Sequence, residues 1–372
     1  MNLKLSATST IIGTVVGAGF LGIPFVIMQS GFPIGLVHFV VLGLIVMLTM
    51  LYMGEVALRT RGDHQLSGYA EKYLGKWGKR LMFVAFAFGL YAAIIAYLIA
   101  EGQSFSYLFF GSANYEVIFS LLFWVLLSSM SYFGMRSLKK FESIAVGLVL
   151  LLVVGISIFS WHKINFANLS SFNMSNAFVP FGVVLFSFLA FSVIPEIKKM
   201  LGNEQKLMKS SIIKAYLIAF LVYIIFTAVV IGVKGSSTPQ LATLALGPIF
   251  IILGIITMFT SYLVLSVALA DSYSSDYKKS KNISWLLTII IPLLIFLILQ
   301  LTKSANFTAI LGIGGVISGG LTGILILLMA KKAKINGDRK PEYEMPYSSV
   351  LTWLIIAVYI IGAVIEVVNI IR

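Results

Sequence analysis

"GTVVGAGFLGIPF", residues 13–25, contains a literal G-x-G-x-x-G at Gly17, Gly19 and Gly22. A dinucleotide-binding loop of that form needs a strand before it, a helix after it and an acidic residue about 20 positions on. The residues ahead of Gly17 are too few for a preceding βαβ strand, and residues 32–53 contain no Asp or Glu. The glycines therefore serve something other than a phosphate.

Composition shows what surrounds them. The chain is 59% hydrophobic and 11% charged, with a mean hydropathy of +1.00. A soluble domain carries about a quarter charged residues. The apolar residues fall in blocks long enough to cross a bilayer as helices, which takes about 20 residues. These blocks lie at 8–29, 32–58, 81–109, 115–134, 141–161, 176–200, 211–233, 243–270, 284–302, 305–330 and 348–370. They lack the alternation of a membrane barrel. The expectation is an all-α polytopic membrane protein with eleven transmembrane helices and an uncleaved first span. With no cysteine, disulfides and thiolate-held metals are excluded. His38, His64 and His162 show no metal-ligand spacing, and His38 reads as a packed, hydrogen-bonded residue near the outer end of its span. The spans contain no nucleophile–base pair or acidic dyad, so the chain is not expected to be an enzyme.

A net charge of +13 invites a nucleic-acid reading. Its placement argues otherwise. With the N-terminus inside and eleven spans, 23 of the 27 Lys and Arg residues fall on the cytoplasmic side, leaving Lys163, Lys234, Lys303 and Arg372 outside. That asymmetry follows the positive-inside rule. It predicts a multi-pass protein of the cell membrane with a cytoplasmic N-terminus, an external C-terminus and contact with anionic lipid, and no nucleic-acid partner. Residues 59–80, basic with Tyr69, Tyr73, Leu74 and Trp77, read as an amphipathic segment on the cytoplasmic interface. Residues 331–346 read as a polar linker before the last span.

Within this frame the opening glycines fall in the middle of the first span. Glycine and proline weaken helices there; close helix packing is the alternative reason for them. Five spans later "FVPFGVVLFSFLAFSVIPEIKKM", residues 178–200, is interrupted by Gly182, Ser187, Ser192 and Pro195. Interruptions at matching positions in two halves point to an inverted repeat with a midplane site. The expected layout is one transmembrane domain, 1–372, with repeats at 1–161 and 176–330 and an added helix at 348–372.

"IIGTVVGAGFLGIPF" at 11–25, "GEVALRTRG" at 54–62 and "FSFLAFSVIPE" at 186–196 resemble the amino-acid/auxin permease family, which includes the aromatic and hydroxy amino acid permeases. The resemblance runs over nearly the whole chain. It implies the amino acid–polyamine–organocation (APC) superfamily and the five-plus-five inverted-repeat fold of the bacterial leucine transporter, with helices 1 and 6 broken. It also implies an amino acid substrate and a symporter working by alternating access, with a membrane amino-acid sensor of the same fold as the alternative. A glycine is common in the family's unwound sixth span; residues 186–192 have none.

An α-amino acid needs partners for a carboxylate and an ammonium. Amides at a half-helix N-terminus suit the carboxylate, and Gly17, Ala18 and Gly19 offer them. Carbonyls of the broken sixth span, around Leu185, Phe186 and Ser187, suit the ammonium. Phe186, Phe188, Phe191, Tyr91 and Tyr97 are expected as walls. In sodium-coupled members of the fold one ion sits between helices 1 and 8, which by resemblance implies Gly13, Val16 and Thr257 carbonyls with Thr260 and Ser261 hydroxyls. Oxygen ligands suit such a hard cation. The alternative is that those hydroxyls bond to their own helix. Some proton-coupled relatives place a lysine in span five; 141–161 has none, which favours sodium. Glu196 is the residue for proton coupling in the competing reading. Glu55 is expected to pair with Arg59, Asp271 to sit in a cytoplasmic vestibule, and Gly315, Gly319 and Gly323 to pack helices. The substrate is expected to be a neutral or aromatic amino acid, with no cofactor beyond a bound sodium ion and no obligatory protein partner.

Overall fold

The computed structural model describes residues 3–133, 147, 150, 151 and 153–371, with backbone alone at 18 and 369–371. Every regular element in this region is helical. The chain runs through α1 (Leu3–Val15) and α2 (Ile23–Ser30), joined by a 3-10 turn at Ala18–Gly22, then α3 (Phe32–Arg59), α4 (Leu66–Phe110) and α5 (Glu116–Phe133). After residues 153–160, also helical, come α6 (Phe181–Phe188), α7 (Ile194–Leu201), α8 (Met208–Lys234) and α9 (Pro248–Tyr277). The chain closes with α10 (Lys281–Leu301), α11 (Phe307–Gly314), α12 (Gly320–Asn336) and α13 (Ser349–Ile371).

Nine of these helical stretches are long and apolar enough to cross a membrane, and the bent pair α1–α2 makes a tenth. Of the expected fifth span, 141–161, residues 141–146, 148, 149 and 152 lie outside the described residues. The boundaries otherwise follow the apolar blocks. Within the expected amphipathic segment, residues 66–74 form a short helix set off from the third span by a kink at Gly75, whose φ of 75° and ψ of −168° are not helical. That backbone favours glycine. Gly31, at φ 94°, turns the chain between α2 and α3 where the Ser171 backbone leaves no room for a Cβ.

The interrupted helices are the enclosed ones. Of the most apolar stretch, 78% is buried for α6–α7 and for α11–α12, and 72% for α4, against 22% for α5 and 33% for α13. The helices best suited to line a cavity are thus at the centre. The others present apolar faces outward, as a lipid-facing surface requires. His38 bonds through Nδ1 to the Ile34 carbonyl of its own helix at 3.0 Å.

Candidate functional site

The first helix stops where Gly17 removes the steric reason to continue. Its last helical bond runs from the Val16 amide to the Ile12 carbonyl, 2.7 Å. Gly17 is then extended, φ −81° and ψ −170°. The second segment sets off at 43° to the first. Carbonyls of Gly13 and Thr14 thus end one half-helix, and amides from Ala18 onward open the next, so opposite partial charges meet at one point.

The sixth span breaks at Leu189 (φ −71°, ψ 121°) and Ala190 (φ −146°, ψ 22°). Both conformations are open to ordinary residues, which explains how the chain unwinds here without the family's glycine. Two tyrosines of α8 complete the break. Tyr223 Oη lies 2.7 Å from the Val15 carbonyl and 2.6 Å from the Ser187 carbonyl, and Tyr216 donates to the Phe188 carbonyl at 2.9 Å. Both phenols are buried. Sequence reasoning overlooked them. Two tyrosines seven residues apart share one helix face, and that spacing in an apolar span was the available signal.

Between the breaks lies a cavity of about 160 Å³. Among the expected site residues it gathers Gly13, Val16, Gly17, Gly19, Phe186, Ser187, Thr257, Thr260 and Ser261, together with Tyr97 and Phe191. Four others lie elsewhere. Leu185 is fully buried away from the cavity, and the Phe188 ring packs on Tyr216 and Tyr223. Tyr91 points from α4 toward α9 and α10, its hydroxyl 2.8 Å from that of Tyr273 and 3.1 Å from the Leu287 carbonyl. Glu196 sits in the first turn of α7, beyond the break and outside the lining. Ala18 enters through its backbone alone.

On the α9 wall, Thr260 Oγ1 donates to the Thr257 carbonyl at 2.9 Å and Thr257 Oγ1 to Leu253 at 2.8 Å. The helix-bonding alternative is therefore realised for the Thr260 proton. A hydroxyl that donates to its helix keeps lone pairs to offer a cation, so the oxygen set still fits a hard ion. Among the described residues no cluster of His, Cys, Asp or Glu could hold a metal.

The two ends of the cavity differ. On one side the 3-10 turn is pressed against α11, where a Cβ at Gly22 would sit 3.2 Å from Thr308 Cγ2 and 3.3 Å from Phe307 Cε1. On the other, Leu66, Phe86 and Ser192 are shared with a second, small cavity that also reaches Gln65 and Asp276. That side carries the basic loops. There Glu55, 2% exposed, bonds Arg59 at 2.8 Å, Lys334 at 2.6 Å and the Met345 amide at 2.8 Å. Tyr343 donates to the Leu51 carbonyl at 2.7 Å. Residues 337–346 are therefore a strap docked on the end of α3. Asp338, bonded to Lys72 and to the Arg61 amide, has its carboxyl held below the usual range by that lysine. Lys198 of α7 donates to the Thr60 and Gly62 carbonyls at 2.7 and 2.8 Å, capping α3.

The sequence profile of the tryptophan/tyrosine permease family matches residues 2–245. Tyrosine-specific transport system 1 of Haemophilus influenzae is 28% identical over 231 residues, 61% of this chain and 57% of that protein. The chain thus matches little more than half the length of that relative. Glutamine transporter 2 of Aliivibrio fischeri is 23% identical over 365 residues, 92% of each chain. Among solved structures, the crystal structure of MhsT in complex with L-phenylalanine matches with a TM-score of 0.70 over 98% of both chains at 15% identity. The fold is the leucine-transporter-like five-plus-five arrangement with broken helices 1 and 6.

Proposed function

The chain belongs to the tryptophan/tyrosine permease family, a family of membrane permeases and not of enzymes, and from that premise we propose that it is a cation-coupled amino acid symporter working by alternating access. The observation that carries this reading is the convergence of two helix breaks and a hydroxyl-bearing helix on one cavity. The substrate carboxylate takes the amides of Ala18 and Gly19, where a positive helix end favours it. The ammonium takes the Phe186 and Ser187 carbonyls. Each already accepts one donor, from Leu189 N–H and Tyr223 O–H, and each keeps a second lone pair. Among the described residues no charged side chain lines the cavity, which suits a substrate with a neutral side chain, aromatic or otherwise.

Sodium takes the Gly13, Val16 and Thr257 carbonyls and the Thr260 and Ser261 hydroxyls, tying α1 to α9. Its release frees α1 and opens the path past Leu66 and Phe86 to the basic side. That side is cytoplasmic, the C-terminus is external, and the repeats are 1–161 and 176–330, with 348–372 added. Charge placement supports this orientation.

Competition for a labelled amino acid bound to the purified protein tests the reading. For tyrosine, the decarboxylated analogue tyramine and the deaminated 3-(4-hydroxyphenyl)propionate should both fail to compete. An analogue lacking either group that competes as well as its parent contradicts it.

A further inference from the structure

We propose that Ser318, which faces Gly89 of α4, and Thr322 one turn on form a subsite for the hydrogen-bonding tip of the substrate's side chain. This inference rests on the amino acid reading above and adds the class of side chain selected: an apolar or aromatic stem ending in a hydroxyl or carboxamide.

Three observations meet at this place. The helix carrying Ser318 is not regular. A π-helical turn at Gly315–Gly319 separates α11 from α12, and such turns concentrate at functional sites because they re-aim side chains at a cost in regularity. Second, Ser318 and Thr322 are 8% and 4% exposed and line the cavity. Among the described residues, neither hydroxyl has a hydrogen-bond partner. Thr49, Thr257 and Thr288 donate to the carbonyl one turn back; Ser104, Thr227 and Ser284 also lack a partner but stand away from the cavity. Buried polar groups are almost always paired. Two unpaired hydroxyls one turn apart, both open to the same cavity, are left for something that enters it. Third, α4 makes room for Ser318. A Cβ at position 89 would run into the Ser318 hydroxyl and stand 2.8 Å from its Cβ.

The walls near these hydroxyls are Phe86, Leu90 and Leu189, an apolar surround that raises the value of each hydrogen bond. A site built to bond a substrate hydroxyl or amide discriminates strongly against the isostere lacking it, because its own groups are then left unpaired. Plain helix packing, the other use of small residues between membrane helices, gives no such discrimination.

The test is competition binding to the purified full-length protein with two pairs that differ in a polar tip, tyrosine against phenylalanine and glutamine against norleucine. Wild type should favour the polar member of at least one pair tenfold or more. Thr322→Val and Ser318→Ala should each bring that ratio toward one while leaving the affinity for the apolar member within about twofold, which also shows that the variant folds. Gly89→Ala, which displaces the Ser318 hydroxyl, should act in the same direction. A wild type indifferent to both polar tips, or a preference that survives both hydroxyl deletions, overturns the subsite. Binding of no amino acid at all by the wild type overturns the symporter reading and the subsite with it; normal amino acid binding with unaltered selectivity overturns the subsite alone.

Discussion

The hydroxyl of Tyr223 stands 2.7 Å from the Val15 carbonyl, at the end of α1, and 2.6 Å from the Ser187 carbonyl, at the end of α6. One phenol thus spans both broken helices, and its single proton is shared between two carbonyls that the breaks expose. Among the described residues, neither carbonyl has a helical partner. Tyr223→Phe keeps the ring against Phe20 and Phe188 but leaves both acceptors short of a donor. An unsatisfied buried group costs about 1–3 kcal/mol. The expected outcome is a lowered melting temperature and amino acid binding weakened roughly tenfold or more, since about 1.4 kcal/mol is a factor of ten. Unaltered values of both would show that the bridge holds nothing.

The two glycines of the first break differ in what a side chain would meet. At Gly17 a Cβ finds ordinary contacts, 3.6 Å to the Thr14 carbonyl and 3.8 Å to Tyr97 Oη. At Gly19 it meets Phe186 Cδ1 at 3.1 Å and Ser187 Oγ at 3.2 Å, so those residues must give way. Gly17→Ala should therefore fold with wild-type thermal stability yet bind amino acid more weakly, because the added methyl group projects into the cavity. Gly19→Val should both destabilise and abolish binding. A scintillation proximity assay beside a melting curve separates the two effects.

Thr260→Val removes one proposed ion ligand without changing volume. Sodium affinity, read from the sodium dependence of amino acid binding, should fall roughly tenfold or more, which is about 1.4 kcal/mol. Binding at saturating sodium should recover, since the substrate contacts lie on other helices. Wild-type binding indifferent to sodium would move the coupling to protons, with Glu196 the residue to change next.

Glu55 holds the strap. Its carboxylate joins Arg59, Lys334 and the Met345 amide in a nearly closed environment. Breaking a buried ion pair by removing one partner typically costs about 3–5 kcal/mol. Glu55→Ala should lower the melting temperature and speed hydrogen exchange over 337–346. Asp338 gives the strap an acid limit. Its carboxyl is depressed by Lys72, so its contribution is full above the ordinary carboxylate pKa and is lost as pH falls through the lower, folded value. Protection over 337–346, the exchange rate taken relative to the intrinsic rate at each pH, should therefore be constant between neutrality and the ordinary carboxylate range, and should fall only below it.

Much of the fold was legible because the bilayer imposes length and hydropathy on every span. Breaks at Gly17 and near Ser187 were equally legible, since glycine, proline and small polar residues interrupt otherwise apolar runs. The side-chain geometry was harder to read. Tyr91 and Tyr97 lie nearly two turns apart on α4, and only packing decides that Tyr97 reaches the cavity while Tyr91 bonds Tyr273. The π turn at Gly315–Gly319 shifts the helical register after it, so a regular-helix projection of the tenth span misplaces Ser318 and Thr322. Its glycines do pack: Gly315 against α6, Gly319 against Leu189 and Gly323 against Tyr359. The strap was invisible for a different reason. Its contacts join residues nearly 300 positions apart, such as Tyr343 with Leu51, and polar composition alone reads as a solvated linker.

The account is tested most directly by uptake of labelled tyrosine and glutamine into proteoliposomes containing the purified protein, with an inward sodium gradient, with a proton gradient and with neither. Accumulation of at least one amino acid above equilibrium under the sodium gradient, absent without any gradient and lost in Gly17→Val, is the predicted result. Failure of both amino acids to accumulate under either gradient would contradict a cation-coupled symporter.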